Sequence, residues 1–396
     1  MPLKLDDFLG QRRPVIFHLT VTGRCQARCE GCINALSFGR REDFADSWEC
    51  DPERDARALY TLLQKTDGRP AVVAFYGGEP LLAAEKMEAV RGKLRALLNG
   101  NPVRFLLYTN GELLSRTLKR YPDLLRELWL VSVSIDGSEG EHERFRRGTS
   151  LSRIRENLAA LKEALRTPVL MWSTLRDEAS LRDCLEEFLR LKARGLCDYF
   201  FWHLIETDRP ISSFEDFRRR YLSDLAFLLE TYLSWLSSGR ILPVLPLNEL
   251  FFFLLSGIRR GHTGCGVERA ENFDLQAGRL LPCADLGEEF VLGEIKSSGE
   301  IAWCGDPARL SSLVSYRRDL GCEECAAEFY CGGRCPVLIK NSPERARQYC
   351  VLTRDLVSLA REALPEVRCL LEKSGLSPED LYFPYGYLAL FTDVVP

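Results

Sequence analysis

The sequence predicts an α/β fold: a partial (β/α)6 barrel followed by a smaller cysteine-rich domain. Two observations carry that prediction. Up to about residue 205, short β-branched or aromatic runs alternate with segments of helical period. From residue 261 the pattern gives way to short runs rich in Gly and Cys. The predicted strands are continuous apolar runs rather than alternating ones, as expected of a parallel sheet buried on both faces. Six such units make an open barrel, shorter than the closed form of eight.

The elements follow in order. Residues 15–21 form the first predicted strand. Asp51 and Pro52 then open a helix, Asp as the cap and Pro at the first helical position, with Ala56, Leu59, Leu62 and Leu63 at helical spacing. Further strands are predicted at 71–76, 103–109, 130–135, 169–174 and 199–205. Helices are predicted at 82–98, 113–128 with a break near Pro122, 151–165 and 181–192. A long helix at 214–237, an apolar one at 247–257 and a helical tail at 353–371 complete the reading. Residues 376–396 receive no assignment. The domain division is 1–210 for the barrel, 211–260 for a helical linker, 261–355 for the cysteine-rich domain and 356–396 for a C-terminal helix and tail.

Composition bounds the function. Of the 396 residues, 46% are hydrophobic and 28% charged, enough to bury a large core and to exclude general disorder. Lys and Arg number 53 against 57 Asp and Glu, a net charge of −4, which gives no electrostatic footprint for nucleic acid or an anionic membrane. No apolar run approaches the ~18 residues of a membrane span, and residues 1–11 carry no signal-peptide pattern. A cytoplasmic chain is expected. Fifteen cysteines is an odd number, and they cluster at the two ends of the chain. In a reducing compartment such clustering points to metal or redox chemistry rather than disulfides. Cys50, Cys184, Cys197 and Cys369 stand outside the spaced sets and are read as buried apolar thiols.

Cys25, Cys29 and Cys32 follow the first strand in the spacing C-x3-C-x2-C. Three thiolates on one loop suit three irons of a [4Fe–4S] cluster and leave the fourth iron open, the mark of a reactive metal site. Zinc would want a fourth ligand close by, and His18 is the only nearby histidine. Together with Gly77, Gly78, Glu79 and Pro80 at the end of the second strand, this loop resembles the radical S-adenosylmethionine (SAM) superfamily. The resemblance implies that the Gly-Gly-Glu-Pro turn contacts the SAM amino group. Thr109, Asn110 and Gly111 after the third strand, and Ser134, Asp136 and Gly137 after the fourth, resemble the family's next signatures near ribose and methionine. The stretch from His142 to Arg146 resembles a segment whose arginine reaches the SAM carboxylate; a solvated helix-face arginine is the competing reading. The family usually carries an aromatic residue before the third cysteine, where this chain has Gly31, so the adenine contact must come from elsewhere.

A second series runs Cys265, Cys283, Cys322, Cys325, Cys331, Cys335 and Cys350. Its spacing resembles the SPASM domain of peptide-modifying radical SAM enzymes, with zinc ribbons as the competing reading. The resemblance implies one auxiliary [4Fe–4S] cluster on Cys322, Cys325, Cys331 and Cys350, and another on Cys265, Cys283 and Cys335. Fully ligated relatives have one more cysteine between the positions of Cys265 and Cys283, absent here. The fourth position is left to an open iron, Cys304, Asp285 or another side chain. An open iron would accept a substrate thiolate. Asp285 lies two residues after Cys283, near where sulfatase-maturing relatives carry a proton-accepting aspartate, with Ala284 intervening. His203 and Glu206 are expected at the cavity mouth; Trp172 and Trp202 are read as core.

The function expected from the resemblance is reductive cleavage of SAM to a 5′-deoxyadenosyl radical by an oxidoreductase carrying three clusters. The radical would modify a ribosomally made peptide or a protein, for example by a thioether or C–C crosslink. A sulfatase-type maturase forming formylglycine and a non-catalytic iron–sulfur electron carrier are the alternatives. Only about 14 residues precede the first strand, so a substrate with a leader is expected to need a separate leader-recognition protein, with flavodoxin or ferredoxin as electron donor.

Overall fold

The structure, a computed structural model, describes residues 3–34, 47–99, 102–392 and 394–396. Six parallel strands appear where they are predicted: β1 (Val15–Thr22), β2 (Ala71–Gly77), β3 (Arg104–Thr109), β4 (Leu128–Ser134), β5 (Val169–Leu175) and β6 (Tyr199–Leu204). They pair in chain order. Helices α1 (Pro52–Leu63), α2 (Ala84–Leu98), α3 (Leu114–Arg120), α4 (Glu139–Phe145), α5 (Leu151–Ala164) and α6 (Leu181–Ala193) lie in the crossovers. The Asp51 carboxylate caps α1, accepting from Glu53 N at 3.0 Å and Arg54 N at 3.1 Å.

The strands are less uniform than the sequence reading holds. Parallel partners share a face, and the register pairs Thr20 with Tyr76, Tyr108 with Ser132, Ser134 with Trp172 and Thr174 with His203. The other face carries Leu19, Phe75, Leu107, Val133 and Met171, all buried. The polar and aromatic face is concave: the rings of His18 on β1 and Tyr108 on β3 approach to 5.9 Å across the strand between them. Trp172 belongs to this inner face, with its ring 5.8 Å from Tyr108 and 5.5 Å from His203. Trp202 points the other way, fully buried, and donates to the Tyr221 hydroxyl at 3.2 Å. The reading of both tryptophans as core therefore holds only for Trp202.

The cysteine-rich region does not build a sheet of its own. Strand β7 (Phe273–Gln276) adds in parallel to the outer edge of β1, with Phe17 opposite Phe273, His18 opposite Asp274 and Leu19 opposite Leu275. Strands β8 (Arg279–Leu281), β9 (Gly293–Ile295) and β10 (Ile301–Trp303) continue antiparallel, giving one ten-stranded sheet. Backbone pairing thus crosses the division drawn at residue 261. Helix α7 (Phe214–Ser237) and apolar α8 (Leu245–Ser256) follow the barrel, and α9 (Pro343–Lys373) begins ten residues before the predicted tail. Its Arg345 donates to the carbonyls of Ile205 and Arg209 at 3.1 and 2.8 Å, and its Asp355 grips Arg218 of α7 through two bonds of 2.7 and 2.9 Å. Cys350 is therefore held on a helix docked against the end of the barrel.

The tail left unassigned packs into the core. Tyr382 stacks on Phe252 of α8 at 4.3 Å, Phe391 meets Trp129 at the start of β4, and Tyr108 donates to the Phe391 carbonyl at 2.6 Å. Among the described residues, no helix is long and apolar enough to cross a membrane.

Candidate active site

Strand β1 ends in a one-residue register shift between Thr20 and Thr22, where the chain leaves the sheet toward the cysteine loop. That loop is pinned on three sides. Gly78 N and Glu79 N donate to the carbonyls of Thr22 and Arg24, both at 2.8 Å. Cys29 pairs antiparallel with Arg146 in a two-residue ladder, and Glu30 N donates to Phe145 O at 2.8 Å. The Gly77–Gly78 pair is required by this contact. A Cβ on Gly77 would meet Thr22 O at 2.4 Å, and one on Gly78 would meet Arg24 O at 2.3 Å. The glycines thus bring backbone to the cysteine loop. The three cysteines are partly accessible.

Glu79 is almost wholly buried and heavily engaged. Its carboxylate accepts from Leu81 N at 3.1 Å, Thr109 Oγ1 at 2.8 Å and Asn110 N at 2.8 Å. Burial pushes the carboxyl up to about 7, against these bonds, which favour the charged form. Asn110 in turn accepts from Gln26 Nε2 and Glu112 N, both at 3.1 Å, while its own Nδ2 is buried without a partner. An unpartnered buried amide donor beside the cysteine loop is a costly feature unless a ligand completes it.

Asp136 lies deeper than the resemblance implies. Its side chain is fully buried and accepts from Arg146 Nε (2.7 Å) and Nη2 (3.1 Å), Arg176 Nη1 (2.5 Å) and Thr174 N (2.9 Å). Burial opposes its ionisation, but the two guanidiniums outweigh it and hold the carboxyl well below the usual range. Asp136 therefore positions arginines and is not open to a ligand. Arg146 is buried, which removes the reading as a solvated arginine, and its Nη1 is directed at Cys29 Sγ, 4.0 Å away. Arg176 also donates to Glu30 O at 3.1 Å. His142 accepts from Asp136 N at 3.2 Å and meets Thr149 Oγ1 at 3.0 Å, and burial lowers it to about 4, keeping it neutral. Ser134 is half-buried at the inner end of β4. Gly31 sits at φ +60°, and a Cβ there would strike Ile205 Cδ1 at 2.2 Å. Ile205, just past β6, fills the space beside the position where the family carries an aromatic ring.

The second cysteine series falls into two neighbourhoods. The Cys322 thiol is pushed up to about 11, first by burial and then by Cys331 and Cys350. Cys350 has Cys331 and Cys325 as neighbours, with Arg334 and Arg354 opposing their effect. Cys283 is raised by burial, then by Asp285, Asp274, Cys265 and Cys335, and Cys335 by burial, then by Glu206 and Cys265. The grouping runs parallel to the two sets that the resemblance implies. Cys304 is exposed beside Trp303 on β10. Glu206 lines the same pocket as Cys265, Arg334 and Cys335. Of the four cysteines read as buried apolar thiols, Cys50, Cys184 and Cys197 are buried, whereas Cys369 is exposed.

Asp285 is half-buried, and its charge bears on Tyr76 and Cys283. Beside them, His18 Nδ1 lies 2.9 Å from Asp274 Oδ1. On the opposite wall, His203 Nε2 meets Thr174 Oγ1 at 2.9 Å and its Nδ1 lies 3.4 Å from Glu206. The sequence reading missed Gln26, Asp274, Arg176 and Ile205. Period-two placement of His18, Thr20 and Thr22 in β1 was the available signal for the inner face.

The residues fit an iron–sulfur cluster and SAM. Among the described residues, no three Cys, His, Asp or Glu side chains converge to hold one metal ion. The unpartnered Asn110 amide and the Arg146 guanidinium supply donors at the cysteine loop, as an amino-acid ligand requires.

Residues 19–175 match the family described as the Radical SAM superfamily. Among solved structures, the chain is similar to native anSMEcpe with bound AdoMet, at a TM-score of 0.67 and 16% identity over 91% of this chain and 100% of that one. Native anSMEcpe with bound AdoMet and Cp18Cys peptide gives 0.66 and 17% over 91% and 99%. Streptococcus suis SuiB bound to precursor peptide SuiA gives 0.55 and 15% over 85% and 74%.

Proposed function

We propose that this chain, a radical SAM enzyme, modifies a side chain or backbone position of a peptide or protein, with two auxiliary clusters assisting. The observation that carries the reading is a continuous inner face. It runs from the Cys25–Cys29–Cys32 loop, past Tyr76, Tyr108, Trp172 and His203, to Asp285 and Cys283. When bound, the cluster and SAM supply a 5′-deoxyadenosyl radical able to take a hydrogen atom from the substrate. Cys25, Cys29 and Cys32 would hold that cluster. Glu79 has three of its roughly four acceptor positions filled, leaving one for the SAM amino group. Arg146, fixed by Asp136, offers Nη1 to the SAM carboxylate.

Cys322, Cys325, Cys331 and Cys350 would hold one auxiliary cluster, and Cys265, Cys283 and Cys335 the other. Asp285, half-buried near Tyr76 and Cys283, would accept the proton leaving the substrate. Two of the similar structures are described with bound peptides, Cp18Cys and SuiA, which supports a peptide as the substrate class. Residues at the inner face exclude water from the reacting atoms through their aromatic rings.

Anaerobic reconstitution with dithionite and SAM should yield 5′-deoxyadenosine, and the chain with all three loop cysteines changed to Ala should not. Absence of that product from iron-loaded wild type would overturn the reading. Cysteine-containing peptides then separate the reactions by mass: either crosslink removes two hydrogens, a thioether also consuming the thiol, whereas formylglycine appears as an aldehyde.

A further inference from the structure

Arginines are buried at several places in this chain, and nearly all face a carboxylate. Arg146 and Arg176 share Asp136, Arg260 meets Glu249 at 2.5 Å, and Arg345 meets Asp177. Arg334 differs. It is 5% exposed, and among the described residues its guanidinium makes no ion pair with Asp or Glu. Its Nη2 donates to Cys331 Sγ at 3.0 Å, and its Nε is buried without a partner. Leaving a guanidinium dry and uncompensated is strongly unfavourable. Glu206 lines the same pocket but pairs with His203, so the compensating charge is sought on the sulfur side, where the hydrogen bond goes.

The backbone confirms that the placement is built rather than incidental. Arg334 follows Gly332 and Gly333 in a turn that admits no side chain at its first glycine: a Cβ on Gly332 would overlap His262 O, and Gly333 has φ +133°. The Tyr316 hydroxyl donates to the Arg334 carbonyl, fixing the turn from the other side. Arg334 also stands between the two cysteine neighbourhoods, three residues after Cys331 and one before Cys335.

We propose that Arg334 sets the redox potential of the cluster held by Cys322, Cys325, Cys331 and Cys350. It does so by donating an N–H to the Cys331 sulfur and holding a positive charge in a dry pocket beside the cluster. This rests on the reading of that cysteine set as a cluster site. Reduction adds negative charge to a cluster, and a fixed N–H donor and cation stabilise that form, so the potential rises. An exposed cation acts through solvent and does far less. Arg354, also near Cys350 but exposed, is the internal comparison.

The test uses the full chain with Cys25, Cys29 and Cys32 changed to Ala, anaerobically reconstituted so that only auxiliary clusters remain. Iron should be about eight per chain for two such clusters. In an EPR-monitored redox titration, Arg334→Gln should lower one midpoint more than the other. Arg334→Lys should lower the same midpoint by less, and Arg354→Gln should leave both in place. Unchanged midpoints in an Arg334→Gln protein that retains its iron would overturn the proposal, as would an equal shift from Arg354→Gln. Should Arg334→Gln lose iron, Arg334→Lys decides: a lowered midpoint supports the proposal and an unchanged one overturns it. Iron of about four per chain or less before any Arg334 change would instead defeat the reading of two auxiliary clusters.

Discussion

Changing Asp136 to Asn should damage both folding and SAM binding, although Asp136 is placed to touch neither solvent nor ligand. Its carboxylate takes four hydrogen bonds, three from guanidiniums, and the two arginines concerned are 8% and 4% exposed. Asn keeps one acceptor oxygen but turns a donor toward a donor and leaves two buried cations without a carboxylate. Removing one side of a buried ion pair costs about 3–5 kcal/mol, and the retained oxygen puts Asn near about 3. With a urea slope of about 3 kcal/mol/M, the unfolding midpoint of the apo chain should fall by about 1 M. SAM affinity should fall with it, because Arg146 Nη1 loses its alignment beside Cys29 Sγ. Arg146→Met alone and the double variant complete a thermodynamic cycle. The effects on affinity should be non-additive by at least about 0.5 kcal/mol, since Asp136 acts through Arg146. A midpoint shift under about 0.2 M, or additive affinity losses, would refute the reasoning.

Other outcomes follow from the same geometry. Buried His142, with its pKa lowered to about 4 against 6.5, should contribute roughly 3 kcal/mol to apo-chain stability at pH 7. That contribution is present above pH 6.5 and lost as pH falls through about 4, because the unfolded chain binds the proton more readily; His142→Asn should flatten this part of a urea-midpoint profile. Glu79, raised from 4.5 to about 7, should act with the opposite sign: its ionisation in the fold costs roughly 3 kcal/mol as pH rises from 4.5 to beyond 7, and Glu79→Gln should remove that slope. Gly31→Tyr should reduce iron retention at the first loop by steric conflict with Ile205, and adding Ile205→Gly should restore part of it, measured by iron content and SAM binding. Cys304→Ser should leave iron content unchanged, whereas Cys283→Ala should lose up to about four irons per chain. Equal iron loss from both would return Cys304 to the ligand set.

Much of the barrel was legible because its signals are local. Apolar runs of strand length, the Asp51–Pro52 helix start and turn residues each act over a few neighbours, and most observed strand and helix ends lie within two residues of their predicted places. The Cys25–Cys29–Cys32 loop was legible for a related reason: three thiols within eight residues of one loop lie close together whatever the rest of the chain does. What escaped were contacts between segments far apart in the chain. Asp136 looks like a ligand contact in sequence, because nothing local reveals Arg176 forty residues on. The addition of β7 to β1 joins residues about 256 apart, and no periodicity encodes that register. Residues 376–396 had no pattern of their own because their partners, Tyr108, Trp129 and Phe252, belong to the barrel and to α8.

The sequence by itself determined the order of most elements and the placement of the three-cysteine loop after the first strand, since backbone preference and short-range spacing suffice for both. Only the tertiary structure decided which charged side chain serves a ligand and which serves another side chain. It buried Asp136 behind Arg146, set Ile205 against Gly31, and left Arg334 facing sulfur instead of carboxylate. Burial and counter-charge are properties of the packed interior, where the cost of an unpaired ion arises from the water that folding removes.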